Sequence, residues 1–387
     1  MSYYINGADI SGSLVSKDIF TENGLYAWGI NGLGSVGDNS IIDKNSPVRI
    51  GSLTNWKQVS IGLIPLTPLA NSFAIKTDGS LWAWGENSIG QLGNGTSGNS
   101  YSSPIQIGSL TNWKQVSAAG GFTHIIKTDN TLWTCGYNID GQLGNGTRTN
   151  YSSPIQVGSL TNWKQVSNFG YGGLLPSFVA AIKTDGSLWV WGSNTGRQLT
   201  VYSVSVLYSS PIQVGSLTNW KQVATGQEYI SAIKTDGSLW VWGNNVYGQF
   251  GNGTYGNIYS SPIQVGSLTN WKQVACGYYH TMAIKTDGTL WTWGYNTNGQ
   301  LGNGTITHYS SPIQIGSLTN WKQVSCSGFN SAAIKTDGSL WAWGDDAYGQ
   351  LGNGTSGNSY SSPIQIGSLT NWKQVSIGIC SFAIQQN

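Results

Sequence analysis

The stretch Asp78-Gly79-Ser80-Leu81-Trp82-Ala83-Trp84-Gly85-Glu86-Asn87-Ser88-Ile89-Gly90-Gln91-Leu92-Gly93-Asn94-Gly95-Thr96, with Ser102-Ser103-Pro104-Ile105-Gln106-Ile107 and Asn112-Trp113-Lys114-Gln115-Val116 after it, decides the fold because the chain keeps repeating it. The string NWKQV occurs seven times, with its Trp at Trp56, Trp113, Trp163, Trp220, Trp271, Trp321 and Trp372, spaced by 57, 50, 57, 51, 50 and 51 residues. A second string, L-[WY]-x-[WC]-G, begins at Leu25, Leu81, Leu132, Leu188, Leu239, Leu290 and Leu340. Self-similarity at a fixed period overrides any domain count drawn from length. Seven copies near a period of 50 mean seven supersecondary units.

Each unit reads as four short strands divided by turn signals. In the unit from Asn112 these are Lys114 to Ser117 (A), Thr123 to Lys127 (B), Thr131 to Thr134 (C) and Pro154 to Val157 (D). T-D-G or T-D-N joins B to C, where Gly or Asn accepts the positive φ of a tight hairpin. No segment shows an apolar i, i+3, i+4, i+7 pattern, so helices are not expected. The sequence therefore predicts an all-β, seven-bladed β-propeller of four-stranded antiparallel blades, an architecture that leaves only short, protected edges. A straight solenoid, the rival, needs capping repeats at its ends. Here the ends look like complementary fragments: the chain starts with a strand C at Leu25 and finishes with a strand A from Asn371 to Ser376. The first blade is thus expected to be closed by both termini, with Ser381 to Ile384 or Val15 to Phe20 as its strand B. The expected division is an N-terminal arm (1–20) and a propeller (21–387). Its blades are 21–54 plus 371–387, 55–110, 111–160, 161–217, 218–268, 269–318 and 319–370.

Composition follows from the repeat. Of 387 residues 54 are Gly and 19 Trp, while charged residues make up 9% and the net charge is +2, against about 25% charged in an average domain. Aromatics at 12% argue against disorder. The NWK and K-T-D strings hold 13 of the 18 basic residues, and the K-T-D turns hold 6 of the 16 acidic ones. The remainder, 5 basic and 10 acidic, is net acidic, which excludes a phosphate-binding groove and makes nucleic acid an unexpected partner. No apolar run reaches the roughly 18 to 20 residues of a bilayer span, and the start Met1-Ser2-Tyr3-Tyr4 lacks the marks of a secretory signal. Cys135, Cys276, Cys326 and Cys380 show no metal-ligand spacing and read as buried thiols. The invariant K-T-D turns read as solvated blade caps, and the Trp pairs of strand C as core, one member packing between blades.

With blades antiparallel, the A–B and C–D connections share one face and the monotonous B–C and D–A turns the other. Variation gathers on the first face. Two A–B connections are six residues longer than the rest and apolar: Leu63, Ile64, Leu66 and Leu69 in one, Tyr171, Leu174, Leu175 and Phe178 in the other. The short connections contribute Phe122, Tyr229, Tyr278, Tyr279 and Phe329, an expected aromatic rim. Apolar loops that a scaffold does not require mark a partner surface, although the inserts could instead plug the channel mouth. The C–D connections add Glu86, Tyr137, Asp140, Arg148, Tyr247, Tyr255, Tyr295, His308, Asp345, Asp346 and Tyr348. In the fourth blade, Leu199 to Val206 alternates like an added strand.

The core W-G-x-N-x-x-G-Q-L-G within "DGSLWAWGENSIGQLGNGT...SSPIQIGSLTNWKQV" resembles the repeat of the regulator of chromosome condensation family, from about Leu25 to the C-terminus. The resemblance implies a seven-bladed propeller with strand A nearest the channel. It also implies, as one possible function, guanine nucleotide exchange, which in that family uses one face and a wedge-like β-insertion that this chain lacks. A secreted bacterial inhibitor of an enzyme is a further relative of this fold. The opening Tyr4-Ile5-Asn6-Gly7-Ala8-Asp9-Ile10 is similar to the start of some tailed-phage virion proteins, and Gly90 to Ser117 and Gly349 to Ser376 are identical over 28 residues, as in diversifying surface proteins.

No catalytic motif is present, and His124, His280 and His308 have no carboxylate nearby in sequence. The sequence predicts no enzyme, no catalytic residue, no metal and no cofactor. Its expected role is a non-enzymatic interaction propeller, a phage-type virion appendage or adhesin-like protein. It is expected on a virion or cell surface, binding protein or glycan through the variable face, with a virion partner docked by the N-terminal arm. The alternatives are a cytoplasmic exchange-factor-like regulator of a small GTPase, or an enzyme inhibitor.

Overall fold

The computed structural model describes residues 24–63, 70–171, 175–199 and 206–386, and of Leu63, Tyr171 and Leu175 only the backbone. These residues form seven four-stranded antiparallel sheets and no helix. In the third blade, strands A to D run Trp113–Ala118, Phe122–Lys127, Leu132–Gly136 and Tyr151–Gln156. The ring closes as the repeat phase requires: strands Leu25–Gly29 and Lys44–Arg49 (C and D) join Trp372–Ser376 and Cys380–Gln385 (A and B) in one sheet. Leu25 pairs with Ile384 and Gly29 with Cys380, so the C-terminal segment is strand B. The competing segment Val15 to Phe20 lies outside the described residues, as does most of Leu199 to Val206.

Each blade's apolar face packs on the next. Strand B is buried along its whole length in six blades and from Ser177 onward in the fourth, and strand C is buried up to its W-G or C-G glycine except for its half-buried second residue. The second Trp of strand C lies between blades and donates its indole N–H to a backbone carbonyl of the preceding G-Q-L-G loop: Trp191 Nε1 to Gln142 O at 2.8 Å, Trp293 Nε1 to Gln249 O at 2.9 Å, Trp28 Nε1 to Gln350 O at 2.8 Å. In the third blade Cys135 holds this place, its Sγ 3.5 Å from Gln91 O. Around the channel, six of the seven NWKQV glutamines reach the next blade's inner strand. Gln222 donates to Val274 O at 3.0 Å and accepts from Val274 N at 3.2 Å.

The K-T-D turns correct one expectation. Their aspartates are exposed and accept from the residue two along, as in Asp78 Oδ1 with Ser80 N at 2.8 Å. Their lysines are buried, Lys76 at 6% and Lys183 at 5% exposure. Each ammonium lies over the first Trp of strand C, Lys76 Nζ 3.6 Å from the Trp82 centroid and Lys183 Nζ 3.5 Å from that of Trp189. The ring's negative face holds the ammonium, and the methylene stem covers apolar surface, so these lysines are framework packing rather than solvated caps.

The long A–B connections partly extend the hairpins. Strand A reaches Leu63 in the second blade, where Leu63 pairs with Ala70, and Tyr171 in the fourth, where Tyr171 pairs with Leu175. Ile64, Leu66, Leu69 and Leu174 lie outside the described residues.

Candidate functional site

The register of strand B settles the aromatic rim. Phe122, Phe178 and Tyr229 each pair with the Gly of strand C's W-G or C-G, opposite Gly136, Gly192 and Gly243. All three are fully buried, at 0% exposure. Their placement on a partner-binding rim is therefore corrected: they point between blades, and Tyr229 Oη donates to His280 O in the next blade at 2.6 Å. Tyr279 and Phe329 come one residue earlier than this position, and in a strand one residue reverses the side-chain direction.

On the variable face, rings from four blades form one continuous cluster. Phe169 meets Tyr278 edge-on at 5.6 Å and Tyr278 meets Phe329 at 5.2 Å. Tyr295 lies 5.7 Å from Phe329 and 4.7 Å from His308, and Tyr247 lies 4.8 Å from both Tyr279 and Tyr295. Tyr278 is 7% exposed; the other members are half-buried, each with part of its ring open to solvent. Edge-to-face contacts suit the ring quadrupoles and fix the plane of each ring.

The supporting backbone is tied from blade to blade. Gln227 N donates to Tyr278 O at 3.1 Å, and Tyr278 N to Gly328 O at 3.0 Å, so the A–B turns of blades five, six and seven form a chain. Gly294 (φ +104) lets Tyr295 come against Tyr279, since a Cβ there would strike the Tyr279 carbonyl, and Tyr295 N donates to Tyr279 O at 2.8 Å. Burial, with help from Tyr247 and Glu228, pushes the Tyr279 hydroxyl up to about 12, so this phenol is neutral. Burial lowers His308, which accepts from Asn296 N through Nδ1 at 3.0 Å.

Beside the cluster the channel opens into a cavity of about 290 Å3 lined by inner-strand residues including Ser167, Thr225, Cys276, Ser325, Ser327 and Ser376, with no charged side chain in its wall. The cysteines are free. Burial pushes Cys276 up to about 11 and raises Cys326 as well, so neither is a poised nucleophile. His124 and His280 are fully buried, held down to about 3 by desolvation, with Nε2 of His280 3.0 Å from Ser331 Oγ. Among the described residues no group of three His, Cys, Asp or Glu could hold a metal ion.

The sequence reading missed Phe169 as a member of the cluster. It sits in a strand A, and only its contact with Tyr278, more than a hundred residues away, brings it in. Tyr247, Tyr295 and His308 were visible as variable C–D residues.

This ring, laced by glutamines and variable on one face, defines a repeat propeller with a preorganised aromatic surface and no assembled catalytic centre among its described residues. The Regulator of chromosome condensation (RCC1) repeat matches residues 78–126, 129–168, 185–233, 236–284, 287–334 and 337–379. The chain belongs to that repeat family. It is 29% identical over 302 residues to the Ultraviolet-B receptor UVR8 of Arabidopsis thaliana, covering 74% of this chain and 64% of UVR8. To the human E3 ubiquitin-protein ligase HERC2 it is 27% identical over 295 residues, 73% of this chain and 6% of HERC2. The chain thus matches less than two thirds of either relative's length. Among solved structures, Prp20p of Saccharomyces cerevisiae, whose binding to Gsp1p and histones was studied, superposes with a TM-score of 0.79 at 18% identity, covering 95% of this chain and 92% of that one. At that identity the likeness establishes the fold alone.

Proposed function

We propose that this protein is a non-enzymatic, protein-binding propeller of the regulator type, which captures a protein partner on the face that carries the A–B and C–D connections. The observation that carries this reading is the aromatic cluster. Six rings from four blades are half-buried on one face around the buried Tyr278, although blade closure needs only the inward-pointing set. Rigid aromatics are the side chains most enriched among interface residues that dominate binding. The repeat family supports the same reading, since Prp20p is a propeller that binds proteins.

The finer form is a guanine nucleotide exchange factor, tested by release of labelled GDP from candidate small GTPases. The virion or adhesin reading rests on the opening segment, which lies outside the described residues, and on the 28-residue identity. Neither relative above is of that kind.

The test is quantitative mass spectrometry of proteins retained by the immobilised chain, compared with a Tyr279→Asp plus Phe329→Asp variant whose melting temperature is unchanged. Specific partners lost from the variant are the expected result. An identical partner profile on both baits overturns the proposal.

A further inference from the structure

At the rim of five blades the residue after the Gly of strand C's W-G or C-G donates its backbone N–H to the residue that opens strand B's turn. The pairs are Glu86 with Ala70, Tyr137 with Gly121, Asn244 with Glu228, Tyr295 with Tyr279, and Asp345 with Phe329. These are equivalent places around one ring. Read in order, blade five presents Glu228, blade six the two tyrosines, and blade seven Phe329 with Asp345. The aromatic row therefore has a carboxylate at each end, contributed by the blades on either side.

Neither carboxylate is in an ion pair among the described residues, and burial raises the Asp345 carboxyl above its ordinary value. Glu228 is held by neutral donors, Thr195 Oγ1 on Oε1 and Asn244 Nδ2 on Oε2, both at 2.9 Å. Its backbone sits at φ 60, a left-handed conformation unusual for a Glu. Asp345 accepts from Ala347 N at 3.3 Å and Gln350 Nε2 at 3.0 Å. The lysines of these three blades are all at the opposite end of the strands. Lys221, Lys272 and Lys322 follow the first residue of strand A, and Lys234, Lys285 and Lys335 end strand B. Among the described residues the one ion pair, Lys44 with Asp38, is in the first blade. Neutral aromatic faces between carboxylates, with no lysine or arginine of these three blades at that end and Arg197 of blade four, two residues from Thr195, in no ion pair with Glu228, attract a positive charge through ring quadrupole and Coulomb terms together.

We infer that this rim recognises a basic segment of the partner, whose Arg or Lys side chains lie along Tyr279, Tyr295 and Phe329 and meet Glu228 and Asp345 at the two ends. The inference rests on the protein-binding reading above and adds the chemistry of the partner. Arginine suits it better than lysine, because a planar guanidinium stacks on rings and gives directed N–H donors to carboxylates.

The probe is a fluorescein-labelled peptide, Gly-Arg-Ser-Phe-Ser-Arg-Gly, and a twin with citrulline in place of both arginines, titrated with the full chain and followed by anisotropy. Citrulline keeps the shape but replaces one NH2 donor with a carbonyl acceptor and removes the charge. The arginine peptide is expected to bind at least about tenfold more tightly than its twin, to weaken as salt is raised, and to lose that preference on Glu228→Gln plus Asp345→Asn. Equal binding of the two peptides, binding of neither, or a preference that survives in the double variant overturns the inference. The bait experiment separates the two claims: if Tyr279→Asp plus Phe329→Asp empties the partner profile while Glu228→Gln plus Asp345→Asn leaves it intact, the protein-binding reading stands and the basic-segment inference falls.

Discussion

Gln58 closes both backbone groups of Val116 in the neighbouring blade: its Nε2 donates to Val116 O at 2.9 Å and its Oε1 accepts from Val116 N at 3.1 Å. A glutamine amide matches a peptide group donor for acceptor, so it completes the inner strand's edge where blades diverge from the axis and no further strand fits. The motif NWKQV thereby carries its own inter-blade joint, and Gln58, Gln165, Gln222, Gln273 and Gln374 each pair both peptide groups of the facing valine.

Gln58→Leu is expected to destabilise the protein by about 2 kcal/mol, because both peptide groups of the buried Val116 lose their partners. Gln58→Glu should also cost stability at neutral pH, since a carboxylate cannot donate to Val116 O. Urea unfolding followed by Trp fluorescence measures both.

Lys127→Met keeps the stem's length and apolar contact while removing the ammonium that lies 3.6 Å from the Trp133 centroid. A loss of about 0.5 to 2 kcal/mol is the expected outcome. Substitution of the exposed Lys114 by Met should change stability by less than about 0.5 kcal/mol. Equal effects at the two positions in thermal unfolding would show that the ring contact contributes nothing.

Asp346 stands where other blades place Asn87, Asn138, Asn245 and Asn296. Those asparagines accept the N–H of the Leu or Phe five residues on and donate Nδ2 to loop carbonyls, as Asn296 does to Thr305 O and Thr307 O at 2.9 Å. Asp346 keeps the first bond, accepting from Leu351 N at 3.0 Å, but has no Nδ2. Burial, with Asp345 adjacent, raises its carboxyl to about 6. A carboxyl whose folded pKa is raised contributes stability below the unfolded value of 3.8 that is lost as pH climbs through about 6. Asp346→Asn should therefore stabilise the protein by about 1 to 3 kcal/mol at pH 7.5 and by much less at pH 4. Melting curves at the two pH values decide it; a gain that does not depend on pH refutes the titration account.

The turn aspartates act in the opposite direction. Hydrogen bonds from Thr131 and Ser80 hold Asp129 and Asp78 below the usual carboxylate range. Their contribution is present above the ordinary pKa and lost as pH falls through the lowered one. Wild-type stability is expected to fall on both sides of a maximum between about pH 4 and 6, measured as the urea midpoint against pH.

Burial pushes the Cys135 thiol up to about 12 and raises Cys380 further. In native protein at pH 8, Cys135 and Cys380 should not react with a thiol reagent such as Ellman's, while denaturation in guanidinium should expose all four cysteines. Fast labelling of Cys135 in the folded state would contradict this packing.

Strand number, strand order and the closure of the ring by both termini were legible in the spacing of NWKQV and in the phase at which the chain begins and ends. A hairpin turn and an alternating strand are set by local backbone conformation, and seven copies leave little choice of global arrangement. The glutamine joint was not legible. Gln58, Gln165 and Gln222 are identical in every repeat, and their partners lie 52 to 58 residues away on another blade.

The candidate site divides the same way. By itself the sequence determined which face varies and that the variable positions are rich in Tyr and carboxylates. The tertiary structure alone decided which of them meet. Phe122 and Tyr229 differ from Tyr279 and Phe329 by one place in strand register, and that step turns a ring from the rim into the core. Asp345 and Asp346 are adjacent, yet one reaches the rim beside Phe329 and the other is fully buried. Side-chain direction alternates with every residue, while the pairing that fixes its phase is made by a strand elsewhere in the chain.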